Sequence, residues 1–215
     1  MEEEDAACAD PLPQEPAPQT VLQRLLRLGA PERRASALDA FALGKRRFLR
    51  GERVDMGRLA SDLGVNRATL YRWVGTREQF LVEILWSLAH RTLTDELKRV
   101  EAQDAIGNRV APLLSAFVRE VLANDGMRQL QREEGDLTFR LLTFARYGFE
   151  PRLVRFVQNL LAEDAAAGRL KATVPLEDLA YTAVRMVESY VHRAAITGEE
   201  PDAERAARVL HVLLR

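Results

Sequence analysis

From Leu81 to Leu214 the apolar residues recur at intervals of three and four, with no stretch in which they alternate with polar ones. A 3.6-residue period puts such residues on one face of a helix, whereas a half-buried strand needs a period of two. The longest run is Leu176, Leu179, Ala180, Ala183, Val184, Val187, Val191 and Ala194, closed by Gly198. Before it, the spacing predicts a helix from about 77 to 100 and others at 106–124, 127–134, 136–146 and 151–167, the last stopped by Gly168. Pro201-Asp202 starts a final helix with Ala203, Ala206, Ala207, Leu210, Leu213 and Leu214 on one side. The fold class that follows is all-α.

The N-terminal part is organised differently. Residues 1–19 hold four of the nine prolines and no aromatic side chain, and they read as a disordered acidic tail. "VLQRLLRLG" (21–29) has the pattern of a short amphipathic helix. After Pro31, a favourable first helical residue, Ala35, Leu38, Phe41, Ala42 and Leu49 fall on one face of a helix that Gly51 ends. The whole chain carries a net charge of −1, which says nothing about a polyanionic partner. Its distribution says more: residues 31–77 carry a net +6, whereas 1–22 carry −6 and 78–215 carry −3. A basic module between acidic neighbours suggests nucleic acid or another anionic surface.

Inside that module lies "LASDLGVNRATLYRWVGTREQF" (59–80). Asp55 is the expected N-cap of a helix that stops at Gly64. Asn66 to about Val74 makes a second, short helix, and Thr76 with Gln79 forms a capping box for the long helix that follows. Two helices that touch at a tight turn need a small residue at the contact and a glycine where φ is positive. Ala60 and Gly64 supply these, four residues apart. Leu59, Leu63, Val65, Leu70 and Trp73 supply the apolar side, which leaves Asn66, Arg67, Thr69, Tyr71 and Arg72 toward the outside. Each of these alone fits a solvated basic face; the set fits a major groove. Arg67 suits bidentate bonding to guanine O6 and N7, Thr69 offers a hydroxyl and a methyl, and Tyr71 and Arg72 reach phosphates. Arg77 sits at a helix N-terminus, where an anion is favoured.

This stretch resembles the TetR family of bacterial regulators, whose usual run is close to "IA-x₃-GV-S-x₂-TLY-x-YF-x-SKE-x-L". Leu59-Ala60, Gly64-Val65, Thr69-Leu70-Tyr71, Trp73 and Glu78 match it, and Asn66, Val74, Thr76 and Arg77 are mild departures. The resemblance implies a three-helix DNA-binding domain over residues 20–77 and an effector-binding and dimerisation domain over 78–215. It also implies phosphate contacts for Tyr71 and Arg77. Asp55 stands where the family usually has threonine, and an acid there would repel a phosphate, so no DNA contact is carried over. Gly57, within the same helix, costs about 1 kcal/mol against alanine. Residues 140–170 and 176–214 resemble the C-terminal domain of the QsdR-like subgroup, named for a regulator of quorum-signal degradation. That resemblance implies a homodimer with a small-molecule effector pocket.

The large side chains Trp86, Phe117, Phe139, Phe144, Tyr147, Met186 and Tyr190, with Ala183, are the candidates to line such a pocket. Asn159, Tyr181 and Ser189 add polar groups. The small and β-branched stripe of the last two helices (Ala180, Val184, Val187, Val191, Ala203, Ala206, Leu210, Leu213) is the candidate dimer interface, because alanines let helices approach closely. Nothing points to an enzyme: there is no nucleophile-elbow serine, no Gly-rich phosphate loop and no call for a cofactor. Glu188 and His192 are four apart on one helix, a spacing that favours a hydrogen-bonded pair over a metal site. The single cysteine, Cys8, excludes a disulfide within one chain. The acidic "MEEED" start does not read as a signal peptide, and charge-free apolar stretches such as "VAPLLSAFV" are far short of the ~20 residues of a membrane span. The expected setting is the cytoplasm. The expected function is a ligand-responsive, DNA-binding repressor acting on double-stranded operator DNA. The competing reading is an all-α interaction module whose basic face binds another anionic partner and which has no small-molecule switch.

Overall fold

The computed structural model describes residues 35–103 and 107–214; the acidic segment 1–19, the helix expected at 21–29 and the start at Pro31 lie outside the described residues. Among the described residues there are ten α-helices, one 3-10 turn and no strand. The first is α1 (Ala37–Leu49), started by a capping box in which Ser36 and Asp39 bond each other's backbone. Its buried face is Ala40, Gly44 and Phe48, not the expected Leu38 and Leu49, which are exposed. Counting apolar residues misled here because two of the three inward positions are too small to mark a stripe.

Helix α2 (Met56–Asp62) is capped by Asp55, and α3 (Arg67–Val74) by Asn66. Between them the Val65 amide donates to the Ala60 carbonyl and the Gly64 amide to the Ser61 carbonyl, both at 3.0 Å, with Gly64 at φ +64°. That closes α2 in a Schellman turn, which only a residue tolerant of positive φ completes without strain. Leu59, Ala60 and Leu70 are buried where α2 and α3 meet, and Leu63, Val65 and Trp73 pack around them. Each fully buried leucine contributes roughly 1.5–3 kcal/mol over an exposed one.

Gly75 ends α3, and the Thr76–Gln79 capping box starts α4 (Arg77–Ala102), a helix of 26 residues. Its residues Phe80, Leu81, Ile84 and Leu93 are buried, Phe80 and Ile84 against Gly44 of α1. The bundle that follows is α5 (Val110–Ala123), α6 (Asp125–Thr143), α7 (Phe149–Ala166), α8 (Leu176–Val191), the short α9 (Arg193–Thr197) and α10 (Ala203–Leu213). Helix α6 covers the helix expected at 127–134 and that expected at 136–146 as far as Thr143, where Phe144 turns extended; the two are joined across a break at Glu134 (φ −140°, ψ 47°). The helix expected to run to Gly198 breaks at His192 instead. Helix α8 packs on α7, and α10 packs on α5 and α8.

One buried carboxylate ties this bundle together. Asp164 of α7 is fully buried and accepts from the Arg109 amide at 2.6 Å, from Arg109 Nε at 2.7 Å and from Arg169 Nε at 2.9 Å. The other Arg109 nitrogens reach Glu101 (2.6 Å) and Glu163 (2.8 Å). Burial opposes the charge on Arg109, but the bonds to Glu163, Asp164 and Glu101 outweigh it and raise its pKa further. Arg109 has no side-chain cap of its own for α5, so the carboxylate of Asp164 stands at that helix start, where the helix dipole favours an anion.

Candidate DNA-reading helix and effector cavity

Asn66, Arg67, Tyr71 and Arg72 are exposed on α3, and Thr69 is half-exposed. Leu70 on the opposite side is fully buried. The oxygen of Asn66 accepts from the Thr69 amide at 2.7 Å, so its acceptor is committed to the cap and only its amide nitrogen faces outward as a donor. Arg67 lies across α2 at Gly57. A Cβ at position 57 would stand 2.4 Å from Nη2 of Arg67 and 3.1 Å from its Nε. The glycine that looked costly in sequence leaves room for the guanidinium, which also lies in the field of Asp55. The Asp55 carboxyl is held below its ordinary range, chiefly by the Arg58 amide. Gly57→Ala should therefore gain up to about 1 kcal/mol of helix stability while displacing Arg67 and weakening DNA binding. Paired urea melts and operator titrations test this; equal operator affinity of the two proteins would show that the place of Arg67 over Gly57 is immaterial.

Arg77 is not on that face. Its Nε donates to the Val54 carbonyl at 2.7 Å, and its two terminal nitrogens bond both oxygens of Glu134 at 2.7 and 2.6 Å. Arg53 Nε adds a contact to Glu134 at 3.4 Å. The phosphate contact that the family resemblance implies for Arg77 gives way to an internal ion pair, because the α6 break brings a carboxylate to the start of α4. The Arg77 hydrogen bonds hold the Glu134 carboxyl below its ordinary range against the opposing effect of burial.

A cavity of about 120 Å³ lies behind the reading unit. Leu85, Leu88, Ala89 and Thr92 of α4 form one wall, Phe117 of α5 and Phe149 of α7 others, and Val187 and Glu188 of α8 another. Phe48 of α1 also lines it. The first turn of α6 presses on that residue: a Cβ on Gly126 would stand 2.1 Å from the Phe48 carbonyl oxygen. Of the expected pocket residues, only Phe117 lines the cavity. Trp86 packs edge-on to Phe149 at 5.7 Å and under Arg152, which pairs with Glu83. Phe139 sits against Phe144 and His192 beside an open surface groove, Phe144 is exposed and Tyr147 lies under Arg146. Ala183 is fully buried, and Met186 and Tyr190 pack against the core elsewhere. Asn159, Tyr181 and Ser189 are exposed. The polar groups that the cavity does hold are Glu188 and His192, with Thr92, Glu120 and Asn124. Among the described residues no group of three His, Cys, Asp or Glu side chains is placed to hold a metal ion.

The expected dimer interface needs correction. Ala180, Val184, Val187, Val191, Ala206 and Leu210 are buried inside their own bundle; Ala203 and Leu213 remain half-buried. The stripe is broad because α8 and α10 use it to pack on α7, α5 and each other. No helix among the described residues is long and apolar enough to cross a membrane.

A helix-turn-helix with an exposed, arginine-bearing second helix, set on an all-helical bundle with a mainly apolar cavity, is the build of a DNA-binding regulator. Residues 107–215 match the family described as tetracyclin repressor-like, C-terminal domain, and the chain belongs to the TetR family of transcriptional regulators. Among solved structures it is similar to the R. erythropolis transcriptional repressor QsdR from the TetR family, at 25% identity over 83% of this chain and 93% of that one, with a TM-score of 0.72. A putative TetR-family regulator from Rhodococcus sp. shares the fold at 22% identity, over 86% of this chain and 99% of that one, with a TM-score of 0.50. The fatty acid degradation regulator FadR from Bacillus halodurans does so at 11% identity, over 81% of this chain and 95% of that one, with a TM-score of 0.53. No curated protein sequence matches the chain.

Proposed function

We propose that this protein is a ligand-responsive repressor: a cytoplasmic homodimer that binds double-stranded operator DNA through α3 and releases it when a small, largely apolar effector enters the cavity. The DNA-binding unit comprises residues 20–77 and the effector and dimer unit 78–215. The observation that carries the reading is Phe48. It belongs to a helix of the DNA-binding unit and it lines the cavity, so an occupant touches both units at once. The cavity also abuts α4 between Leu85 and Thr92, so an occupant presses on the helix that starts beside the reading unit. Arg67 and Thr69 read base edges, Tyr71 and Arg72 hold phosphates, and Asn66 donates through its amide nitrogen. The resemblance to the QsdR-like subgroup makes a lactone or related acyl compound the first effector class to try.

The test starts from DNA sequences enriched by the purified protein. Arg67→Ala should cost roughly 1–3 kcal/mol and relax preference at one position in each half-site. A panel of lactones and acyl compounds is then added to the complex. Ala89→Trp, which fills the cavity, should keep operator binding and abolish release. Failure to enrich any sequence would remove the DNA-binding half of the reading; release undiminished in Ala89→Trp would remove the cavity.

The dimer forms on the outer faces of α8 and α10, where Tyr181 and Val212 are 51% and 65% exposed. Two reading helices must then present themselves about 34 Å apart, one turn of DNA. Tyr181→Glu combined with Val212→Glu should give a folded monomer that binds operator poorly. Sedimentation velocity and far-UV circular dichroism check this, and an unchanged dimer would place the interface elsewhere.

A further inference from the structure

Two polar groups stand on the cavity wall among apolar neighbours. His192, at the α8 break, is 4% exposed, and among the described residues its Nε2 is buried without a hydrogen-bond partner. Buried polar atoms are nearly always bonded, and an exception at a cavity wall marks a place for a ligand atom. Glu188, one helical turn earlier, lines the same cavity. Its carboxyl accepts from Arg185 at 2.8 Å, and the same guanidinium nitrogen reaches Glu150 of α7 at 2.9 Å. One guanidinium shared by two carboxylates leaves an excess negative charge unless one of them keeps its proton. Burial pushes Glu188 up to about 8; Arg185 opposes this and the charge of Glu150 adds to it. Burial pushes His192 down to about 4. At neutral pH the cavity thus presents an undissociated carboxyl and an uncharged imidazole. Glu120 of α5 is the other acidic side chain on its wall, and the residues of α4 and α6 that line it are uncharged.

We infer that Glu188 and His192 are the recognition pair for the effector, and that they select an uncharged molecule with a carbonyl oxygen on a compact apolar body. The inference rests on the effector cavity proposed above. A carbonyl oxygen has two lone pairs and accepts together from the Glu188 hydroxyl and from His192 in the tautomer that carries its proton on Nε2. A carboxylate ligand has to shed its hydration among Leu85, Leu88, Phe117 and Phe149 with no free cation to meet it, and an ammonium has to shed its own facing a protonated Glu188, which must first give up its proton to solvent before the two can pair. The cavity is close in size to one of roughly 150 Å³ that accepts benzene, so a six-membered ring fills it.

The test uses the full-length protein and four probes matched in shape: cyclohexanone, methylcyclohexane, cyclohexanecarboxylate and cyclohexylammonium. Affinities are measured at pH 7, and the imidazole nitrogens of His192 are followed by NMR. Cyclohexanone should bind and shift the Nε2 resonance. Methylcyclohexane should bind about tenfold more weakly, the worth of one or two hydrogen bonds, without that shift, and the charged probes should not bind. His192→Phe should bring cyclohexanone part of the way to methylcyclohexane, because the Glu188 hydroxyl still donates, and His192→Phe combined with Glu188→Leu should bring it the whole way. Cyclohexanone affinity should fall in the wild type as pH rises through about 8, where Glu188 loses its proton. Glu188→Gln, which cannot ionise, should flatten that dependence. Equal binding of cyclohexanone and methylcyclohexane, or preference for a charged probe, would overturn the recognition pair and leave the cavity standing. Binding of none of the four would overturn both.

Discussion

Asp164→Ala should cost about 3–5 kcal/mol of stability, the usual penalty for removing one partner of a buried ion pair. Three donors lose their acceptor at once: the Arg109 amide, Arg109 Nε and Arg169 Nε. Arg109 keeps Glu101 and Glu163, but both are exposed on the rim of the cluster and screened by water. The start of α5 also loses the carboxylate that stands at its N-terminus. Asp164→Asn retains an oxygen for the amide and loses the charge, so its cost should be smaller. Urea unfolding at fixed protein concentration measures both, since dimerisation adds to apparent stability. A wild-type midpoint in Asp164→Ala would mean that water replaces the carboxylate without penalty.

Neither Asp164 nor Glu134 stands out in the sequence, and the reason is physical. Each is an acid on a helix whose apolar stripe is intact without it, and the arginine that gives it the most bonds, Arg109 for Asp164 and Arg77 for Glu134, lies 55 and 57 residues away. The helix-turn-helix was legible because its determinants are local. Ala60, Gly64, Asn66 and the Thr76–Gln79 box act on residues within five positions, and the Schellman and capping bonds form where that spacing predicts. Periodicity reports which face of a helix is buried, but not what buries it. Hence the stripe of Ala180, Val184, Val187 and Val191 was recognised as a contact face and given to the wrong partner.

The cavity was harder to read for a related reason. Ranking candidates by size selects side chains that fill space, and Trp86, Phe139 and Tyr147 do so by stacking on neighbours. A void is lined by residues that stop short of one another, such as Ala89, Leu88 and Val187, drawn from elements spread over most of the chain. Apart from Phe117, only the Glu188–His192 spacing points to it in the sequence. The break that ends α8 at His192, where an unbroken helix to Gly198 is expected, sets that imidazole on the cavity wall and edge-on to Phe139, which itself lies outside the cavity.

Glu134→Ala should lower operator affinity about tenfold or more and blunt the response to the effector, since coupling between two sites is typically worth ~1–3 kcal/mol. Glu134 sits at the break in α6 and is held by Arg77, the first residue of α4, and by Arg53 of the α1–α2 loop. Met127 and Leu142, on either side of that break, both line the cavity. A ligand that moves α6 therefore moves the carboxylate that anchors the reading unit. In a repressor released by its effector, the ligand-free arrangement is the DNA-competent one, so loosening the latch weakens binding. Because Arg77 depresses the Glu134 carboxyl, the latch is intact above the ordinary carboxylate range. It is lost only as pH falls through that depressed value, so operator affinity should not change between pH 6 and 8 through this pair. Arg77→Ala separates the two roles open to that arginine. If it acts through Glu134, the single and double mutants have about the same affinity, and the dependence on salt keeps its wild-type slope. If it grips a phosphate, Arg77→Ala still weakens binding in the Glu134→Ala background and lowers the salt slope by about one contact. The geometry favours the first outcome: all three guanidinium nitrogens of Arg77 already have acceptors inside the protein, and a phosphate would have to displace Glu134 to reach them.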